Sequence, residues 1–245
     1  MKTIYLTLGL SLISLTQGFA FDQSHQALTK IIKGKATQSG VKYASLKSQH
    51  PELKSYLQDL SKVKESEFKK WSSDERLSFL INLYNATTLN LVLDHYPIKS
   101  LKDEVGGEKG PWKSNTVNVF GSITSLDKLE NELIRKSFNE PRIHFALNCA
   151  SAGCPPLLDE AYKAKELNKQ LEKQTKKFMA NKSVNKLRGK TLTLSPLFDW
   201  FKGDFEKKSG SVEAFVNPYF SKKTITKGSV KITYSDYGWT LNEAN

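Results

Sequence analysis

The chain has 245 residues, 38% of them hydrophobic and 25% charged, with a formal net charge of +12 and two cysteines. This balance excludes disorder and supplies apolar residues for one sizeable core. The lysines, among them Lys163, Lys165, Lys169, Lys173, Lys176 and Lys177, are dispersed along amphipathic segments, which excludes a nucleic-acid patch of basic and aromatic residues. A basic surface of this kind fits an anionic envelope polymer or lipid head group instead.

Residues 1–20 read as a secretory signal: Lys2, an apolar core from Ile4 to Leu15, and Gly18-Phe19-Ala20 as a cleavage site. The apolar core is too short to span a bilayer, and no later run is long enough, so no transmembrane segment is expected. The reading is of a periplasmic or secreted protein whose residues 21–245 form a single globular domain.

An amphipathic segment over residues 22–35 is followed by a strand or loop over 40–47. Pro51 opens a helix over 52–60, with Leu53, Tyr56, Leu57 and Leu60 on one face. Ser72 and Glu75 make a capping box for a long helix that runs to His95 and is stopped by Pro97. Its stripe of Leu77, Leu80, Ile81, Tyr84, Leu91 and Val92 makes it a core helix, with Asn82 and Asn85 beside the stripe and in need of partners.

Residues 101–114 read as a glycine-broken loop anchored by Trp112, and 116–120 as a strand turning at Gly121. Thr124 and Asp127 are expected to cap the next helix, which carries Leu126, Leu129, Leu133 and Ile134. A lysine-rich helix is predicted over 159–180, a hairpin over 184–194 across Arg188-Gly189-Lys190, and a helix from Ser195-Pro196 through Phe205. A short helix over 211–219, a strand over 231–234 and an aromatic turn with Tyr237 and Trp239 complete the chain. The expected fold class is α+β, mostly helical around a small sheet.

Between two proline-marked breaks lies Pro141-Arg142-Ile143-His144-Phe145-Ala146-Leu147-Asn148-Cys149-Ala150-Ser151-Ala152-Gly153-Cys154-Pro155-Pro156. The alternation of Ile143, Phe145 and Leu147 predicts a short buried strand feeding an irregular loop that carries both thiols. In an oxidising compartment a Cys149–Cys154 disulfide is the plain expectation, its small ring worth about 2 kcal/mol on the chain-entropy model.

These residues resemble a known family. Asn82-Leu83-Tyr84-Asn85-Ala86, Tyr96-Pro97-Ile98-Lys99-Ser100, the His-x4-Cys-x4-Cys-Pro-Pro segment, and Leu197-Phe198-Asp199-Trp200 with Asp204-Phe205 are similar to the DUF547 family over about residues 73–219. Many members have Trp where this chain has Leu80. The resemblance marks Asn82, Tyr84, Asn85, Arg142, His144, Asn148, Cys149, Ser151, Cys154 and Pro155 without giving them roles. It implies no activity, the family being named for the lack of one.

Three kinds of chemistry and one non-catalytic reading are weighed for these residue types. A cysteine hydrolase or acyl transferase would use Cys149 as nucleophile, with the N–H groups of Ala150 and Ser151 for an oxyanion and His144 or His95 as base. Cys154, stiffened by Pro155 and Pro156, would be the bridging partner. Five residues of strand span about 16 Å, so His144 reaches Cys149 only if the chain turns sharply between them. The base would also need an orienting group from Asn82, Asn85, Asn148 or Asp236. Asn82, Tyr84, Asn85, Asn148 and Ser151 are the expected substrate-binding residues, for a small-molecule or peptide ligand. His144, Cys149 and Cys154 would suit zinc, but their spacing matches no paired signature, so neither metal nor cofactor is expected. A redox pair ordinarily has two intervening residues, not four. A non-catalytic envelope-binding protein with a structural disulfide is the remaining reading.

Overall fold

A computed structural model describes residues 21–220 and 224–244; the signal reading of residues 1–20 lies outside them. The fold is α+β, built around the helix Ser73–His95. Its start is fixed as expected: the Ser72 hydroxyl accepts from Glu75 N–H at 3.2 Å, and the Glu75 carboxylate accepts from Ser72 N–H at 2.8 Å. The two bonds satisfy donors that a helix start otherwise leaves open. From Leu77 to Leu89 every side chain is buried, so the helix is enclosed on all faces, not along one stripe. The helix His50–Ser61 covers it with Leu53, Tyr56 and Leu60.

Among the described residues, two small sheets stand where one was expected. β1 (Asn115–Val119) and β2 (Ser122–Ser125) form a hairpin whose turn residues Phe120 and Gly121 both have positive φ, 55° and 75°. That pattern matches the right-handed twist of a tight hairpin. β3 (Lys186–Arg188) and β4 (Thr191–Leu194) make the second hairpin, and β5 (Lys231–Tyr234) joins β4 in parallel, Leu192 opposite Ile232.

The predicted strand over 143–147 is instead a 3-10 turn, Pro141–Phe145. Pro141 needs no N–H partner, the Glu140 carboxylate accepts from Arg142 N–H at 3.2 Å, and Ala146 N–H reaches Ile143 O at 2.8 Å. Among the described residues no strand pairs with this segment. The alternation has another cause: Ile143, Ala146 and Leu147 pack into one hydrophobic cluster while Phe145 enters a second. The first cluster surrounds the central helix. The second gathers Phe178, Phe198, Phe205 and Phe215 under β4.

Other boundaries move for local reasons. The lysine-rich helix begins at Leu167, after a 3-10 turn at Ala164–Glu166. Residues 161–163 stay extended because Asn82 and Gln170 side chains occupy their backbone groups. The helical segment after β2 is capped by Ser125 accepting from Lys128 N–H, not by Thr124, and widens into a π-helix over Leu129–Arg135. Residues 40–47 include the helical turn Tyr43–Leu46, and 101–114 hold three short turns in place of a plain loop. There Gly106 is at φ 87°, and a Cβ on it would lie 2.3 Å from the Gly110 carbonyl carbon. The helix after Pro196 breaks at Phe201 into Leu197–Trp200 and Lys202–Ser209. No helix among the described residues is long and apolar enough to cross a membrane.

Candidate active site

The cysteine loop hangs from the central helix by asparagines. Asn85 accepts from Asn148 N–H at 2.8 Å and donates to Ala146 O at 2.9 Å. Asn148 donates to Pro155 O at 2.9 Å, closing the neck of the loop, and accepts from Ala150 N–H at 3.1 Å. Ala150 is held at φ 61°, a left-handed conformation that a residue with a Cβ adopts at some cost. The segment 237–242 straps the loop from outside: Gly153 N–H donates to Gly238 O, Ala152 N–H to Thr240 O, and Asn242 N–H to Ala150 O. A Cβ on Gly153 would lie 2.9 Å from the Tyr237 ring, so that position needs glycine for the strap to close.

Inside this frame both cysteines are free, and the expected disulfide is not formed. The sulfurs lie 3.0 Å apart in a hydrogen bond, Cys149 N–H donates to Cys154 Sγ at 2.9 Å, and the Tyr237 hydroxyl is 3.2 Å from Cys149 Sγ. Two thiols in contact cannot both ionise readily, so the first proton leaves easily and the second with difficulty. The Cys154 hydrogen bond draws Cys149 below the ordinary thiol range against the opposing effect of burial, helped by Tyr237 and Ser151. Burial and the Cys149 charge push Cys154 up. The Ser151 hydroxyl is fully buried.

The cysteines open onto a cavity of about 190 Å³ that Tyr84, Glu130, His144, Trp112, Trp200 and Tyr237 also line. Burial pushes the Glu130 carboxyl up to about 7, with the nearby Cys149 reinforcing the shift and Arg135 opposing it. The Tyr84 hydroxyl sits against that carboxylate. Glu130 stands on the π-helical turn, a geometry that often marks functional sites. His144 is turned elsewhere: its Nε2 meets Asp204 at 2.8 Å, Arg135 meets the same oxygen at 2.6 Å, and its ring stacks on Phe201 at 3.8 Å. Burial holds His144 below its usual range despite Asp204. With Asp204 ionised, Nε2 carries the proton and Nδ1 is left as an acceptor.

The aromatic wall comes from three distant segments. Trp239 contacts Trp112 and Trp200, both at 5.9 Å between ring centroids, and Tyr237 lies 4.9 Å from Trp200. Lys102 Nζ sits 4.3 Å over Trp239, and Trp200 is 47% exposed at the rim.

Of the expected residues, Cys149, Cys154, His144 and Tyr84 meet in the cavity. Asn85 and Asn148 hold the loop instead of facing the cavity, and Ser151 lies buried behind it. Asn82 turns away to Tyr162, donating to its carbonyl at 2.8 Å. His95 bonds Leu91 O at the exposed end of its helix and does not line the cavity. The Ala150 N–H expected for an oxyanion is taken by Asn148, and His144 is oriented by Asp204, not by Asn82, Asn85, Asn148 or Asp236.

The sequence reading passed over Glu130. Its signal was a carboxylate four residues from both Leu126 and Ile134, on the apolar face. Among the described residues, no group of His, Cys, Asp or Glu side chains could hold a metal ion.

Residues 68–179 match the family described as "Protein of unknown function, DUF547". The match supports the resemblance read from the motifs but stops short of the Leu197-Phe198-Asp199-Trp200 motif. Tyr84, Glu130, His144 and both cysteines fall within it, whereas Asp204, Trp200, Tyr237 and Trp239 do not. No curated protein and no solved structure matches the chain.

Proposed function

We propose that the chain is a cysteine-dependent hydrolase or acyl transferase acting on a small-molecule or peptide acyl group. One observation carries the reading: a free Cys149 thiol in a cavity wall, its S–H directed to Cys154 Sγ at 3.0 Å and its sulfur 3.2 Å from the Tyr237 hydroxyl, a donor for the thiolate. In this scheme the Cys149 thiolate attacks the acyl carbon, and the leaving group takes a proton from Glu130. The resulting thioester is opened by water or an acceptor, whose proton passes to Glu130, releasing the product and restoring Cys149. Glu130 replaces the expected histidine as the proton carrier because its charge and that of Cys149 interact, while His144 Nε2 is engaged by Asp204. The aromatic wall supplies apolar area for the acyl chain or peptide.

Export belongs to the same proposal, supported by the tripartite pattern of residues 1–20, and the net charge of +12 suits an anionic envelope surface. Mass spectrometry of envelope protein retaining Met1 would reject export. The chemistry is tested with a thiol-directed acyl probe and intact-protein mass. The expected adduct sits on Cys149, disappears in Cys149→Ser with the unfolding midpoint unchanged, and is released about 10²-fold more slowly in Glu130→Gln. Adducts shared equally with Cys154, or no adduct at all on folded protein, would reject it.

A further inference from the structure

The cysteine pair supports an activity beyond acyl chemistry. Both thiols are free, their sulfurs are already in contact at 3.0 Å, and both line a cavity open to solvent beside the exposed Trp200. A disulfide needs its sulfurs at about 2.05 Å, about 1 Å closer than they stand. The two sulfurs are also unequal in surroundings. Cys149 has the Tyr237 hydroxyl at 3.2 Å as a donor to its anion, whereas Cys154 is held by Cys149 N–H at 2.9 Å and directs its own S–H towards Leu147 O.

We propose that Cys149 and Cys154 form a dithiol that exchanges with an external low-molecular-weight disulfide, Cys149 attacking and Cys154 resolving. The Cys149 thiolate displaces one thiolate from R–S–S–R and forms a mixed disulfide in the cavity. Cys154 then gives up its proton to solvent and attacks Cys149 Sγ, releasing the second R–S group. In sum, two cysteine thiols and one disulfide give one internal disulfide and two R–SH, the protein losing two electrons and two protons and R–S–S–R gaining them. The order follows from position: the Cys149 sulfur carries the hydroxyl that stabilises a leaving or attacking anion, and Cys154 stands within contact of it. The internal disulfide, once formed, occupies the sulfur that acyl transfer would use. The exchange needs no acyl substrate and stands or falls separately from that chemistry.

The test uses the full chain in buffers of defined reduced and oxidised glutathione, quenched with acid and read by intact mass and by counting alkylatable thiols. The parent is expected to lose both thiols together, with a mass lower by two hydrogens and no persistent glutathione, and to regain them with dithiothreitol. Cys154→Ala should trap one glutathione on Cys149, and Cys149→Ala should react at least tenfold more slowly. Cys154→Ser serves as a second resolving variant if alanine impairs folding. Parent protein that keeps both thiols at every ratio, or that accumulates mixed disulfide, would overturn the proposal. So would the two single variants trapping glutathione at equal rates. A closed pair with no acyl adduct on the reduced protein would leave the exchange standing and reject the acyl chemistry alone.

Discussion

The two hydrophobic clusters of the protein are built in different ways. The first is mainly aliphatic, with Tyr43, Tyr56, Phe79, Tyr84 and Tyr162 among its members, and is organised by one long helix, whose residues Leu80 and Ile81 are buried at 1% and 0% exposure. The second is aromatic and assembled from short pieces, with Phe205 packed 4.8 Å from Phe198 and 4.7 Å from Phe215. The cavity lies where they meet: Tyr84 and Leu147 come from the first, Leu197, Phe201 and Tyr237 from the second. The 3-10 turn Pro141–Phe145 sends Ile143 one way and Phe145 the other. A reactive group at such a seam is positioned by two bodies of packing, and damage to either should reach it.

The strongest way to break that comparison is Phe205→Ala, which removes a wholly buried ring from the aromatic cluster and beside His144. We expect a loss of about 3–5 kcal/mol in denaturant unfolding, against about 2–5 for Leu80→Ala. If the clusters are one cooperative unit, both variants weaken hydrogen-exchange protection along Ser73–His95. Protection of that helix untouched by Phe205→Ala would show two separate units.

Each cluster also buries one histidine, and their environments differ. His25, against Phe21 and Phe79, bonds Tyr56 and is lowered by burial to about 4, with Asp22 only partly opposing. Its folded value lies below the ordinary one of about 6.5, so the unfolded chain binds the extra proton first and stability falls with pH between about 6.5 and 4. The expected loss is about 3 kcal/mol, absent from the pH profile of His25→Gln. His144 is lowered too, but Asp204 offsets part of the shift. Its replacement should flatten the same acid limb, and an unchanged limb would exclude His144 from the pH dependence.

Asn85→Ala tests the tie between helix and loop. It leaves Asn148 N–H and Ala146 O buried without their partner, for a loss of about 2–4 kcal/mol, and should lower Cys149 alkylation as the loop loosens. Asn82→Ala removes a similar pair of bonds at Tyr162, and Cys149 alkylation should be unchanged. Equal effects of the two on Cys149 would mean that Asn85 has no special hold on the loop. The smallest stability change is expected for Trp200→Ala, within about 0.5 kcal/mol, because that ring stands at the exposed rim. Labelling by an acyl probe with a long apolar chain should fall several-fold, while a short-chain probe is unaffected.

The aliphatic half was legible in the sequence because helix periodicity and a capping box are local signals: Ser72, Glu75 and the run from Leu77 to Val92 lie within one element. The thiols and His144 stood out by residue type alone. The aromatic half was not legible, since Phe145, Phe178, Phe198, Phe205 and Phe215 sit on different elements and share no period. For the same reason Tyr237 appeared only as part of an aromatic turn, although it hydrogen-bonds Cys149 from 88 residues away. The mistaken strand over 143–147 arose because an alternation of apolar residues was assigned to one core when it serves two.

The strap over the cysteine loop sets a timetable for the nascent chain. Both sulfurs leave the ribosome some eighty residues ahead of Tyr237, Gly238 and Thr240, so the young loop has neither the hydroxyl nor the backbone acceptors that later hold it. Translation thus separates the appearance of the thiols from that of their strap, and a polypeptide stopped before residue 237 would lack the hydroxyl that stands 3.2 Å from Cys149 Sγ. The strap lies outside residues 68–179, so a chain that shares only those residues with this one has the cysteines without the segment that holds their loop here.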